Sequence, residues 1–259
     1  MKQSHIISLL KADSKDRPPK RTKWLFYPSE ASCIIDGKVV GNCLRRTYYG
    51  WKKVPITNQP SLFARVARKI GKYIEVDTKD CLHHSGELVD KSKKDRHFRA
   101  EIIEGIVISG EIDAITKRRG KEVGLEIKSY SSRTSVVADK PKDTHTMQAL
   151  FYLLCYKPRL PYWIILYRKS PLAYGAKMND WVEADGVEHR IDFVKIENDI
   201  YPIVNGELDQ RISVRGILER FKLLKYYIGK NELPPCDYSS KSKECGYCPY
   251  KDCCPKDEK

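Results

Sequence analysis

The sequence predicts an α/β protein: a mixed β-sheet core flanked by helices, with a cysteine-rich region that joins an N-terminal segment to a C-terminal tail. Three observations predict it. Ile- and Val-rich runs follow one another closely through FRAEIIEGIVISGEIDAI and on into TKRRGKEVGLEIKSY. Helical patterns stand on either side of these strands, and a short apolar strand, YWIILYRK, follows a helix, which is the order of a sheet covered by helices. Five of the nine cysteines lie at or beyond residue 236.

Taken in order, residues 1–23 are polar and basic, with Pro18 and Pro19 among them, and are expected to form a flexible arm. Order is expected from Trp24. An N-terminal segment, 24–60, carries CLRRTYYGWKK, whose interleaved Arg and aromatic residues suit a nucleic-acid strand and a half-buried helix equally well. SLFARVARKIGKYIE, 61–75, has Leu62, Val66 and Ile70 at helical spacing and Arg65, Arg68, Lys69 and Lys72 on the other side, with Glu75 at or just beyond the helix end. The polar stretch 77–97, with His83 and His84, reads as a surface loop.

Two strands over 98–115 then lead to a hairpin turning through Arg118, Arg119 and Gly120. A polar loop after Tyr130 precedes a helix, THTMQALFYLLCY. Beyond the strand at 162–169, strand-like segments are expected near 181–183 and 189–195. A last helix spans 209–229 with Gly229 as its stop, and the tail begins at 233. The core thus runs 61–232 and the cysteine-rich tail 233–259.

The chain of 259 residues holds 48 Lys and Arg against 34 Asp and Glu, an excess of +14 that favours a polyanionic partner. No apolar run approaches the ~20 residues of a membrane-spanning helix. The first residues lack the long apolar stretch of a secretory signal, so an intracellular protein is expected.

Residues i and i+2 of a strand share a face, so Glu126 and Lys128 emerge together while Leu125 and Ile127 face the other way. The hairpin would set Asp113 beside them, because opposite residues on paired strands lie only ~5 Å apart. Two carboxylates and an ammonium at one point suit a metal-dependent phosphodiesterase. Mg²⁺ is held by one or two carboxylates with water and substrate phosphate, and a nearby Lys can orient the attacking water. A cross-strand ion pair of purely structural value is the competing reading of Glu126 and Lys128.

In the tail, Cys245 and Cys248 form a C-x-x-C knuckle, followed by Cys254 or, one residue earlier, Cys253. Four thiolates are needed for a tetrahedral zinc or an iron–sulfur cluster, so a fourth must come from Cys236, Cys43 or Cys33.

Together these residues resemble the RecB-type branch of the PD-(D/E)XK nuclease superfamily, and specifically its CRISPR-associated iron–sulfur exonucleases and their viral relatives. The resemblance runs from about Pro28 to Cys254. It rests on Glu75 in GKYIE, Asp113 in GEIDAI, Glu126 and Lys128 in LEIKS, and Gln148 with Tyr152 in a Q-x-x-x-Y pattern.

It implies a restriction-endonuclease-like core and a DNA exonuclease acting on ends or single strands. Mg²⁺ or Mn²⁺ would be held by Asp113, Glu126, the Ile127 carbonyl and Glu75. Lys128 would position the water, and Gln148 and Tyr152 would brace Lys128 or touch the strand. It further implies a [4Fe-4S] cluster on Cys43, Cys245, Cys248 and Cys254, with zinc as the second choice, and recombination or CRISPR-adaptation proteins as candidate partners. Cys33, Cys236 and Cys253 depart from the family pattern, and Glu75 stands where the family usually has His. A nucleic-acid-binding adaptor without catalysis and a ribonuclease are the alternatives.

Overall fold

The computed structural model describes residues 24–89, 91–103, 105–130, 136–169 and 186–255. The basic arm 1–23 and the strand expected near 181–183 lie outside the described residues.

Strand β1 (Leu25–Phe26) leads through a 3-10 turn at Pro28–Glu30 to a hairpin of β2 (Ser32–Ile35) and β3 (Lys38–Gly41). Helices α1 (Leu44–Trp51) and α2 (Leu62–His84) follow. Next come β4 (Leu88–Val89), β5 (His97–Ile103), β6 (Ile106–Glu111), β7 (Ala114–Arg118) and β8 (Lys121–Tyr130). Helix α3 (Asp143–Cys155) connects β8 to β9 (Trp163–Lys169). The chain continues through β10 (Val187–Ile196), β11 (Asp199–Val204) and β12 (Glu207–Leu208) to α4 (Val214–Lys230). The tail carries one further helical turn, Lys243–Gly246.

Seven strands form the main sheet in the order β12-β11-β10-β9-β8-β7-β4. Its β8–β9 pair is parallel, as it must be when a helix makes the return crossing. A second sheet, β1-β6-β5, stands beside it. The chain passes from one sheet to the other at Ile112 and Asp113, between β6 and β7.

Period-2 alternation divides the main sheet into two faces. Val123, Leu125 and Ile127 of β8, with Ile164 and Leu166 of β9, meet Ile74 and Leu82 of α2. Trp163, Ile165 and Tyr167 point the other way, into the core formed around α3. Met147, Leu150, Phe151 and Leu153 of α3 are almost wholly buried, so apolar side chains cover most of the helix surface. Gly124 lies opposite Trp163 in the β8–β9 register, and a Cβ there would stand 2.2 Å from the indole, so only glycine admits the ring.

The α/β class and the mixed sheet agree with expectation, and the bounds of two helices do not. Helix α2 continues nine residues past Glu75 to His84, so Glu75 sits mid-helix and both histidines belong to its last turn. Polar Asp77, Lys79 and Asp80 hid this, but Ile74, Thr78 and Leu82 recur at four-residue spacing and are buried. Helix α4 begins at Val214, capped by Ser213, not at residue 209, and does not stop at Gly229. It ends at Lys230, capped by Asn231 in the left-handed conformation at φ 58°.

Of the two readings of CLRRTYY, the half-buried helix is the one observed. Arg45, Tyr48 and Tyr49 are buried rather than offered to a strand, and Arg45 donates to the carbonyls of Pro234 and Pro255 at 2.8 and 2.9 Å. Tail and α1 are thereby tied.

Candidate active site

The β7–β8 hairpin closes in two residues, Arg119 and Gly120, both at positive φ, the conformation whose twist matches paired strands. Ala114 then pairs with Leu125, and Asp113, one residue before the strand, lies level with Glu126. The Ile127 N–H donates to Asp113 Oδ2 at 2.8 Å. This bond holds the Asp113 carboxylate against β8.

On the α3 side of the sheet, Glu126 Oε1 accepts from Lys128 Nζ and from Gln148 Nε2, the latter at 2.8 Å. Lys128 also donates to Gln148 Oε1 at 3.2 Å, and Gln148 Nε2 lies 2.5 Å from the Tyr152 hydroxyl. Gln148 and Tyr152 are one turn apart on α3, so both reach the same point. Glu126 Oε2 is buried and has no hydrogen-bond partner. An unpaired carboxylate oxygen out of water is costly unless a cation or proton meets it.

The electrostatics agree. Burial, and then the neighbouring Asp113 charge, push the Glu126 carboxyl up to about 8, against the pull of Lys128. Burial also raises Asp113, although the Ile127 N–H favours its charged form; the Glu75 charge adds to the rise. Glu75 itself moves down. Its burial acts to raise it, but hydrogen bonds from Lys72 at 2.7 Å and Lys79 at 2.5 Å prevail. The cluster therefore gathers three carboxylates against three lysines, with Glu75 raising Asp113 and both of them raising Glu126.

Two contributors were not foreseen. Lys79 lies four residues after Glu75, a spacing that itself signals an ion pair. His145 lies three residues before Gln148 and meets the Tyr167 hydroxyl at 2.7 Å. Burial, and then the charges of Lys128 and Lys142, drive its imidazole down to about 3, so it stays neutral.

A second assembly lies at the junction of α1 and the tail. Cys43, Cys236, Cys245, Cys248 and Cys254 all line one cavity of about 270 Å³. The thiols of Cys236 and Cys245 both donate to the Tyr238 carbonyl, at 3.2 and 3.8 Å, and Arg45 Nη1 lies 3.6 Å from Cys254 Sγ. Cys33 is absent from this cavity. It points into the core from β2, and burial pushes its thiol up to about 11. Cys253 is exposed and turned to the Tyr250 carbonyl at 3.4 Å.

Among the described residues no group of three or more His, Cys, Asp or Glu side chains stands arranged to hold a metal ion. Carboxylates and thiols are gathered in two places without being closed into a coordination shell. The donor types nonetheless fit: hard oxygens with an orphaned lone pair at one site, and soft thiols around a common cavity at the other.

No protein-family model matches the chain, and no curated protein does. A crystal structure of a protein called SSO0001 is similar in fold, with a TM-score of 0.53 at 16% identity, over 98% of this chain and 97% of that one. At that identity the likeness speaks for the fold alone. No helix among the described residues is long and apolar enough to cross a membrane.

Proposed function

We propose that the protein is a Mg²⁺- or Mn²⁺-dependent DNA exonuclease with a restriction-endonuclease-like core, acting on ends or single strands. The observation that carries this reading is the orphaned Glu126 Oε2, buried beside Asp113 in a cluster whose other members are all engaged. A metal ion there, held by Asp113, Glu126, the Ile127 carbonyl and Glu75, would acidify a water and neutralise charge on the phosphate.

The chain's own residues set the rest. Lys128, fixed between Glu126 and Gln148, is placed to hold the attacking water or a phosphate oxygen and to release or take a proton at Nζ. Gln148 orients both Glu126 and Lys128, and the Tyr152 hydroxyl holds the Gln148 amide. Lys72 and Lys79 keep Glu75 ionised. The excess charge of +14 suits a phosphate polymer as substrate.

The five thiols around one cavity favour a metal cluster that fastens the tail to α1. We assign it to Cys43, Cys245, Cys248 and Cys254, as [4Fe-4S], with a structural role.

The test uses protein purified without oxygen and end-labelled single- and double-stranded DNA, with Mn²⁺, Mg²⁺ or EDTA, beside Lys128→Ala. Metal-dependent shortening that falls about a hundred-fold or more in the variant is expected. Binding without cleavage under every condition would leave the adaptor reading in its place.

A further inference from the structure

We infer that a groove between α1, the start of α2 and the cysteine-rich tail is the track along which a single DNA strand reaches the carboxylate cluster. This inference rests on the nuclease reading for its destination, but the groove's ability to bind a strand does not depend on catalysis.

The groove has a volume of about 790 Å³ and is lined by Arg46 from α1, Gln59 from the loop that follows, the capping Ser61 with Ala64 and Arg68 of α2, and Tyr247 from the tail. Three features suit a strand of nucleic acid. Arg46 and Arg68 supply cationic forks, and among the described residues no carboxylate pairs with Arg46. Glu30 is the acidic side chain in the lining, and its Oε2 accepts the Tyr27 N–H at 3.1 Å within its own turn. Tyr247 is 82% exposed, the greatest exposure of any large apolar or aromatic side chain described. A ring so presented at the rim of a basic groove is a stacking surface for a base, which every base can use.

Direction comes from α2. Ser61, Arg68 and Glu75 recur every seven residues, Ala64 and Lys72 fall between them and Lys79 follows one turn later, so the helix face that lines the groove is the face that carries Glu75 and its lysines. Arg68 precedes Glu75 by two turns, about 10 Å along the axis. Gly71, between them, brings the helix close to β8: a Cβ there would stand 3.2 Å from Ser129 Oγ, next to Lys128. A strand held at Tyr247 and Arg68 therefore runs down a basic helix face to Glu75, the member of the carboxylate cluster that α2 supplies.

The loop and the tail are joined as one wall. Thr57 and Asn58 donate their N–H groups to the Pro249 carbonyl at 3.0 and 2.9 Å, and the Asn58 amide donates to the Cys248 carbonyl at 2.9 Å. The tail segment that presents Tyr247 is thus fixed to the loop beside it by these bonds.

The experiment measures binding of an end-labelled oligodeoxythymidylate by fluorescence anisotropy in EDTA, across a salt series, for the parent, Tyr247→Ala, Tyr247→Phe, Arg68→Gln and the distant surface variant Lys222→Gln. Tyr247→Ala should weaken binding about ten-fold, with Tyr247→Phe restoring it. Arg68→Gln should weaken binding and lower the salt slope by about one, with Lys222→Gln unchanged. Parent-like binding in both Tyr247→Ala and Arg68→Gln, or no binding by the parent, overturns the groove. Weakened binding of a blunt duplex with the single strand unaffected overturns it as well. If the parent cuts DNA while the groove variants bind like it, the groove fails and the nuclease stands. If the parent never cuts yet Tyr247→Ala binds poorly, the nuclease reading fails and the groove stands.

Discussion

The Arg220 guanidinium donates twice to the Asp237 carboxylate, at 3.0 and 2.6 Å, with both side chains almost wholly out of solvent. Asp237 also accepts the Leu44 N–H at 2.7 Å, and Arg220 reaches Ser32 Oγ at 3.1 Å. One ion pair therefore joins α4, the tail, the start of α1 and β2, beside the thiol cavity.

Breaking such a pair leaves a buried charge without its partner, which costs ~3–5 kcal/mol. Asp237→Ala should lose about that much in urea denaturation and expose the tail to limited proteolysis. A stability equal to the parent's would show that the tail is held elsewhere.

Glu126 makes stability depend on pH with a definite sign. Its carboxyl is pushed up to about 8 from an ordinary 4.5, so between these values the folded protein keeps a proton that the unfolded chain releases. Stability of the metal-free protein should then fall as pH rises from about 5 to about 8. Glu126→Gln should flatten that fall and raise Tm at pH 8. Mn²⁺ should raise the parent's Tm more at pH 8 than at pH 6, because the metal displaces the proton. Equal metal-induced shifts at both pH values would argue against Glu126 as a ligand.

Gln148 touches Glu126, Lys128 and Tyr152 at once. Its replacement by Ala should lower apparent Mn²⁺ affinity or activity about 10–100-fold, the usual cost of removing a group that orients a ligand. Mn²⁺ titration of cleavage rate, with circular dichroism to verify folding, checks this. An unchanged titration would return the Q-x-x-x-Y pair to packing alone.

The cysteines divide by position. Cys248→Ala, like loss of Cys43, Cys245 or Cys254, should yield colourless protein with a lowered Tm. Cys33→Ser and Cys253→Ser should keep visible absorbance and iron content, since neither thiol lines the cavity. Colour that survives Cys248→Ala but vanishes in Cys236→Ser would redraw the ligand set.

Much of this was legible in the residues. Asp113 meeting Glu126 follows from a two-residue turn and a period of two, because strand geometry leaves little freedom once the turn is placed. Gln148 and Tyr152 were readable as one helix face for the same reason. Arg45 was not: a guanidinium looks like a surface group until the carbonyls of Pro234 and Pro255, some 190 residues distant or more, come to meet it. Asp237 gave no local signal either, since its partners Arg220 and Leu44 lie in other elements. The length of α2 was obscured by charged residues whose exposed face the helix can carry once Thr78 and Leu82 are buried.

The bond from Ile127 to Asp113 has a mechanical consequence. Although the chain changes sheets at Asp113, the carboxylate takes its position from β8, the strand that also bears Glu126 and Lys128. A single backbone is the ruler for all three, graduated by its own rise of ~3.3 Å per residue. Repacking of the helices or slippage between the two sheets would then shift Glu75, Gln148 and Tyr152 while leaving the spacing of that trio untouched. The helices are the adjustable parts of the instrument, and drift in sequence can be absorbed there.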